Sequence, residues 1–380
     1  MTSPELAEEV LDDLELLRAR DPRGLLPAVA GAGAQVRETA RLTEEANLAP
    51  VTGGGRPRGL IIVGRREGAV AASVLRALLG NSSPVTVDVV PGPALPVWAG
   101  PSDIAVVATR TGEGSYAVGP AYEAARRGVA LVGIGAEGAP LHAACAGARA
   151  PYVALPGSRV QHTTLWSLLT PMLRLATELQ LLPAAVADVD AVAAALDEVA
   201  GECGPARESF VNPAKTLALE LLDALPVIAA EGPLAGAAAT RIADQLATLA
   251  GLPATGFRLP DQRVAACAVL GGPLARGQED DFFRDRADDE GRRLRLLTIR
   301  DADAGAHDGA GEREPRSAAE AMQSVLHTAG AHGVPVSGLA EHGDPARFGR
   351  LPRLARQLAV ADFSAVYLAL ALDRERALRP

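Results

Sequence analysis

The turn TRTGEGS carries three hydroxyls, on Thr109, Thr111 and Ser115, with Gly112 and Gly114 between them to let the backbone close on a ligand. Hydroxyl donors, unshielded backbone N–H groups and the positive end of a following helix dipole together make a cradle for a phosphate. Without a ligand, Ser115 reads as an ordinary helix cap, a role serine fills in many proteins. A second turn, GRREG, sets Gly64 and Gly68 on either side of Arg65, Arg66 and Glu67. It is neither a Rossmann fingerprint nor a Walker loop. Its two guanidinium groups either hold an anion or are solvated surface charge.

Both turns follow short apolar runs of strand length, GLIIVG and DIAVVA, and both precede segments with helical spacing. VTVDVV, VALVGIGA and PYVAL continue the series, so the pattern is strands alternating with helices, the signature of right-handed crossovers and a parallel sheet buried on both faces. In such sheets ligands bind beyond the carboxyl ends of the strands, which is where these turns lie. After a helical stretch from Leu165 to Ala200, ALPVIAAEGPLAGAAATRIADQLATLAG repeats the strand, glycine turn, helix order of the first half. LRLLTIRDADAG stands where DIAVVATRTGEG stood. The chain thus reads as an internal duplication in the α/β class, with two related domains each built on a mainly parallel sheet. We divide it into a helical segment at 1–50, interrupted at Pro22 and closed at Pro50, a first domain at 51–160, a helical connection at 161–205 and a second domain at 206–380. The polar, glycine-rich stretch from Gly305 to Arg316 reads as a surface loop.

Composition narrows the function. A formal net charge of −9 disfavours nucleic acid and anionic lipid, which need a basic face that releases counterions. No apolar run reaches the roughly 18 residues a bilayer span needs, and the acidic start MTSPELAEEVLDDLELL is unlike a signal peptide. A cytoplasmic location is expected. Cys145, Cys203 and Cys267 lack CxxC or histidine spacing, so neither a disulfide framework nor a metal site is expected, and no cofactor is called for. Lys215 is the only lysine in the chain.

FVNPAKTLALELLDALPVIAA, which contains Asn212, Ala214, Lys215, Leu217 and Ala218 in the order Asn-x-Ala-Lys-x-Leu-Ala, resembles the bifunctional phosphoglucose/phosphomannose isomerases, and ADFSAVYLALALD resembles that family's closing helix. The resemblance runs from about residue 55 onward and implies paired sugar-isomerase (SIS) domains, a small-molecule phosphosugar ligand and a homodimer. It also places Lys215 on a family position, where we expect a fixed ion pair that anchors its helix.

The family's chemistry does not carry over residue by residue. Its Ser-x-Ser-Gly-x-Thr phosphate loop becomes Thr109, Arg110, Thr111, Gly112, Glu113 and Gly114, and its serine-bearing first turn becomes Gly64 to Gly68. Ala247 and Thr248 fall where the resemblance implies an Asn-Glu pair, Val264 where it implies a ring-opening histidine, and Gln161 and His162 near its Pro-Arg; the terminal lysine has no counterpart. Aldose–ketose isomerisation needs a base at C2 and a second group to open the ring. None of the matched positions supplies one, which leaves Asp261, Glu231 and His162 as candidate bases, each with a solvated or structural role as its plainer reading. Two functions follow: a phosphosugar-binding SIS protein with isomerisation weak or lost, or an active hexose-6-phosphate isomerase with a rearranged acid–base site.

Overall fold

In a computed structural model of the chain, the described residues are 4–275, 293–301, 313–339 and 349–373. The chain divides into two compact units, Ala30–Asp197 and the combination of Met1–Val29 with Glu198–Pro380. The helical segment at 1–50 is therefore shared between them, its helices Pro4–Asp12 and Leu14–Arg20 belonging with the C-terminal part and Ala32–Ala46 with the other. Pro50, expected to close that segment, instead sits in the first turn of a short helix, Ala49–Thr52, where its missing N–H costs nothing.

Ala30–Asp197 is built on a five-stranded sheet: β1 Gly59–Val63, β2 Thr86–Val90, β3 Asp103–Ala108, β4 Ala130–Ala136 and β5 Tyr152–Leu155, all parallel, in the order β2-β1-β3-β4-β5. All five residues of β1 and all six of β3 are buried, as an apolar run covered on both faces must be. One face packs Ile61, Val63, Ala105, Val107 and Leu131 against the helices Ser115–Arg127 and Pro140–Gly147. The other carries Glu67–Leu79, which packs against Leu165–Glu178.

The second unit has four parallel strands, β6 Ala224–Glu231, β7 Thr255–Leu259, β8 Arg293–Arg300 and β9 Val336–Gly338, in the order β7-β6-β8-β9. β6 is flanked by β7 and β8 as β1 is flanked by β2 and β3, so the repeat seen in the sequence is a repeat of topology. β7 and β9 escape the sequence pattern. β7 is an edge strand, Thr-Gly-Phe-Arg-Leu, with only Phe257 and Leu259 buried, and β9 is three residues long. The stretch from Gly305 read as a loop lies outside the described residues as far as Glu312, and its last four residues belong to the helix Arg313–Ala331. The helix Arg350–Ala371 is long and apolar enough to cross a membrane, but that apolar window is entirely buried inside the protein.

Candidate functional site

The turns after β1 and β3 stand side by side. β1 and β3 are hydrogen-bonded neighbours in register, Val63 opposite Val107, and the chain leaves β1 for β2 on one side before returning to β3 on the other. This reversal is the crevice where open parallel sheets take ligands. Its floor is bare backbone. A methyl group at Gly64 would come within 2.9 Å of the Gly68 carbonyl carbon, and one at Gly68 within 2.7 Å of the Ala108 oxygen. Only glycine lets the helix Glu67–Leu79 begin this close to the end of β3.

The β3 turn is tighter than its composition suggests. Thr109 is buried, with its hydroxyl 3.4 Å from the Tyr116 hydroxyl, while Thr111 Oγ1 accepts the Glu113 N–H at 3.4 Å. Gly112 has φ 68°, and a side chain there would meet Ala139 at 2.6 Å. The helix cap is Gly114 rather than Ser115. Gly114 adopts φ 82°, and Ser115 is the first helical residue, its exposed hydroxyl left out of any capping bond. Serine accordingly does not play the ordinary capping role here. Glu113 is exposed.

A third segment, whose part in the site local spacing does not reveal, ties these turns together. The Glu67 carboxylate accepts both the N–H and the hydroxyl of Thr164, each at 2.8 Å. Arg110 donates to the Arg159 carbonyl at 3.3 Å, and Arg159 forms an ion pair with Glu38. His162 lies on this segment, buried and with a left-handed backbone, φ 74°. Beside the β3 turn, His142 stacks on Tyr152 at 4.3 Å and accepts the Gly138 N–H at its Nδ1. Gly64, Arg65, Thr109, Thr111, Gly112, Ser115 and His162 thus belong to one unit.

Glu231 and Asp261 belong to the other. Glu231 ends β6, 3.5 Å from the Arg300 guanidinium, and burial raises its pKa while Arg300 pulls it back. The adjacent Asp301 is clamped by Arg350 through bonds of 3.1 and 2.6 Å. Asp261 is exposed in the turn after β7. The second unit therefore presents paired carboxylates at the crevice equivalent to the one where the first presents hydroxyls and arginines. Among the described residues no cluster of three His, Cys, Asp or Glu side chains has a metal-binding arrangement.

Residues 210–375 match the family model of the bacterial phospho-glucose isomerase C-terminal SIS domain. This stretch is an SIS domain resembling that of the phosphoglucose isomerases. Solved structures with the same fold include a hypothetical protein from Thermus thermophilus, 17% identical, covering 97% of this chain and 90% of that one with a TM-score of 0.62. They also include tagatose-6-phosphate ketose/aldose isomerase from Escherichia coli, 14% identical, with 94% and 92% covered and a TM-score of 0.56. A third is the C-terminal domain of glucosamine-fructose-6-phosphate aminotransferase from Francisella tularensis, 11% identical, with 95% and 97% covered and a TM-score of 0.54. No curated protein matches by sequence.

In this SIS-domain protein the motif residues that carry the resemblance are scaffold. Asn212 caps the helix Pro213–Leu221 by accepting the N–H groups of Ala214 and Lys215 at 3.0 and 3.1 Å. Lys215 is fully buried, and its ammonium donates to Asp12 and to the carbonyls of Pro205 and Arg207. Asp362, in the closing helix, receives Arg241 at 2.9 Å in a buried ion pair, and the Tyr367 hydroxyl donates to the Cys203 carbonyl at 2.6 Å. These residues hold the core of the SIS domain together.

Proposed function

We propose that the protein binds a hexose 6-phosphate in the turns after β1 and β3 and interconverts aldose and ketose weakly or not at all. One observation carries the binding half: two turns bearing hydroxyls and guanidinium groups meet over a glycine floor at the chain reversal of a parallel sheet. Thr111, Ser115 and the free N–H groups that open the helix Ser115–Arg127 supply several donors to a dianion at once. The second half rests on what a catalyst needs. A positioned acid or base contributes roughly 10² to 10⁴-fold, and Ala247, Thr248 and Val264 occupy positions where the resemblance implies such groups. In this reading the protein is a cytoplasmic homodimer with SIS-like domains at 51–160 and 206–380, and neither nucleic acid nor membrane is a partner.

A second reading, an active hexose-6-phosphate isomerase with a relocated base, is favoured by one feature: His162 lies on the segment bonded to both turns through Thr164 and Arg159. A coupled assay starting from fructose 6-phosphate, run beside a binding titration with glucose 6-phosphate, separates the two. We expect binding without enzyme-proportional product, and loss of that binding in Thr111→Val, which removes a hydroxyl with little change of shape. Robust product formation that disappears in His162→Gln would establish the isomerase instead.

A further inference from the structure

We infer that Arg66, rather than its neighbour Arg65, is the guanidinium that grips the phosphate and sets the preference for a phosphorylated over a neutral sugar; the inference rests on the phosphate-site reading above. In the sequence the two arginines are indistinguishable. In the structure they are not. Arg65 is already committed: its Nε donates to the Pro91 carbonyl at 2.9 Å and its guanidinium lies 4.8 Å from the centre of the Tyr116 ring. Arg66 is exposed, and among the described residues no hydrogen bond or ion pair engages its side chain. Five N–H donors in a planar fork, matched in shape to a phosphate, are therefore unspent at the rim of the crevice.

The backbone adds a separate reason. Arg66 has φ 48° and ψ −118°, the conformation of the first central residue of a type II′ turn, which glycine occupies without strain. A bulky side chain there is a genuine outlier, and such outliers concentrate at ligand clamps and switch regions. The strain brings no polar contact in return: among the described residues the side chain makes no hydrogen bond or ion pair, and it does not cap the helix Glu67–Leu79. A residue whose backbone would be more relaxed as glycine, and whose side chain holds no polar partner among the described residues, is explained by what it holds in the complex. The neighbouring carboxylate does not compete: both Glu67 oxygens accept from Thr164.

The test exploits the opposite signs this predicts. Wild type, Arg66→Gly and Arg66→Lys are each titrated with glucose 6-phosphate and with glucose, and their melting temperatures are measured. Arg66→Gly should melt no lower than wild type while losing at least about tenfold in affinity for glucose 6-phosphate, the effect of removing one charge-assisted fork. Arg66→Lys, which keeps the charge and the strain but not the fork, should fall between. Full affinity in Arg66→Gly would overturn the inference, as would a parallel loss of affinity and melting temperature, which marks a structural role. A wild-type protein that binds no glucose 6-phosphate removes the phosphate site itself, a failure visible before any Arg66 variant is compared.

Discussion

Lys215 Nζ stands 3.1 Å from Asp12 Oδ1, the ammonium fully buried and the carboxylate about a third exposed. The remaining two protons of the ammonium reach the carbonyls of Pro205 and Arg207, and the charge lies 5.7 Å from the centre of the Tyr367 ring. The chain's sole lysine is thus a strut that closes the 205–209 turn onto the N-terminal helix. Every donor it has is used, so none remains for a substrate.

Removing that strut should cost stability and leave binding alone. Lys215→Met takes a donor from the Pro205 and Arg207 carbonyls and leaves Asp12 with only the N–H and hydroxyl of Ser209, a loss of about 2–4 kcal/mol in unfolding free energy once the partial exposure of Asp12 is allowed for. Lys215→Arg keeps the charge but has to fit a wider planar group into a fully buried site, and denaturant unfolding should rank it between Met and wild type. Glucose 6-phosphate affinity should stay within twofold in both, because the proposed site lies in the other unit. A Lys215→Arg protein of unchanged stability that no longer binds would show the structural role to be wrong.

Glu231→Gln should raise the melting temperature at pH 7. Burial pushes the folded-state pKa of Glu231 above its ordinary 4.5, against the pull of Arg300. A carboxyl shifted in that direction contributes stability below its unfolded pKa and loses it as the pH rises through the folded value, so at neutral pH the ionised form is the disfavoured one. Glutamine removes the charge and forgoes a long, partly exposed ion pair of small worth. The gain should vanish below about pH 4.5, and thermal scans at pH 4 and pH 7 would reveal it. Loss of ligand binding or of turnover in this variant would instead mark Glu231 as part of the site.

Alkaline pH should destabilise the protein beginning near pH 9. Burial pushes the thiols of Cys145 and Cys203 from 9.0 to about 12, and the Tyr152 and Tyr367 hydroxyls are raised in the same direction. The stability these groups contribute is fully present below pH 9 and is lost as the pH climbs toward 12, because the unfolded chain releases its protons first. Lys215 acts with the opposite sign, its pKa lowered by burial below the ordinary 10.5, but it is one group against four. The unfolding free energy from urea titrations should therefore fall between pH 8 and pH 10.5, by roughly 1–3 kcal/mol per pH unit at the steepest point. The Cys145→Ala and Cys203→Ala pair should flatten that slope; an unchanged slope would mean the thiols are not protected in the folded state.

The legible parts of this fold were those where one residue pattern decides the outcome. β1 and β3 announce themselves because a parallel strand buried on both faces has to be an apolar run, and the helix after Thr109–Gly114 begins where the pattern put it. β7 and β9 were invisible because Thr-Gly-Phe-Arg-Leu at a sheet edge and a three-residue strand carry no such run. Within the proposed site, composition points to two turns but does not say which of their atoms are available. By residue type Thr109 is a donor and Ser115 a cap, whereas the fold buries Thr109 beside Tyr116 and gives the cap position to Gly114. Thr164 and Arg159 lock the turns across long stretches of chain, a relation no local spacing encodes.

The most direct test is a crystal structure of the protein soaked with glucose 6-phosphate. Phosphate density is expected between Thr111, Ser115 and Arg66, above the Gly64–Gly68 floor. No carboxylate or imidazole is expected within the roughly 3.2 Å of C1 or C2 that proton transfer requires. Phosphate density at the Glu231 and Asp301 turns instead, or a titratable side chain hydrogen-bonded at C2, would contradict the binding-without-turnover reading.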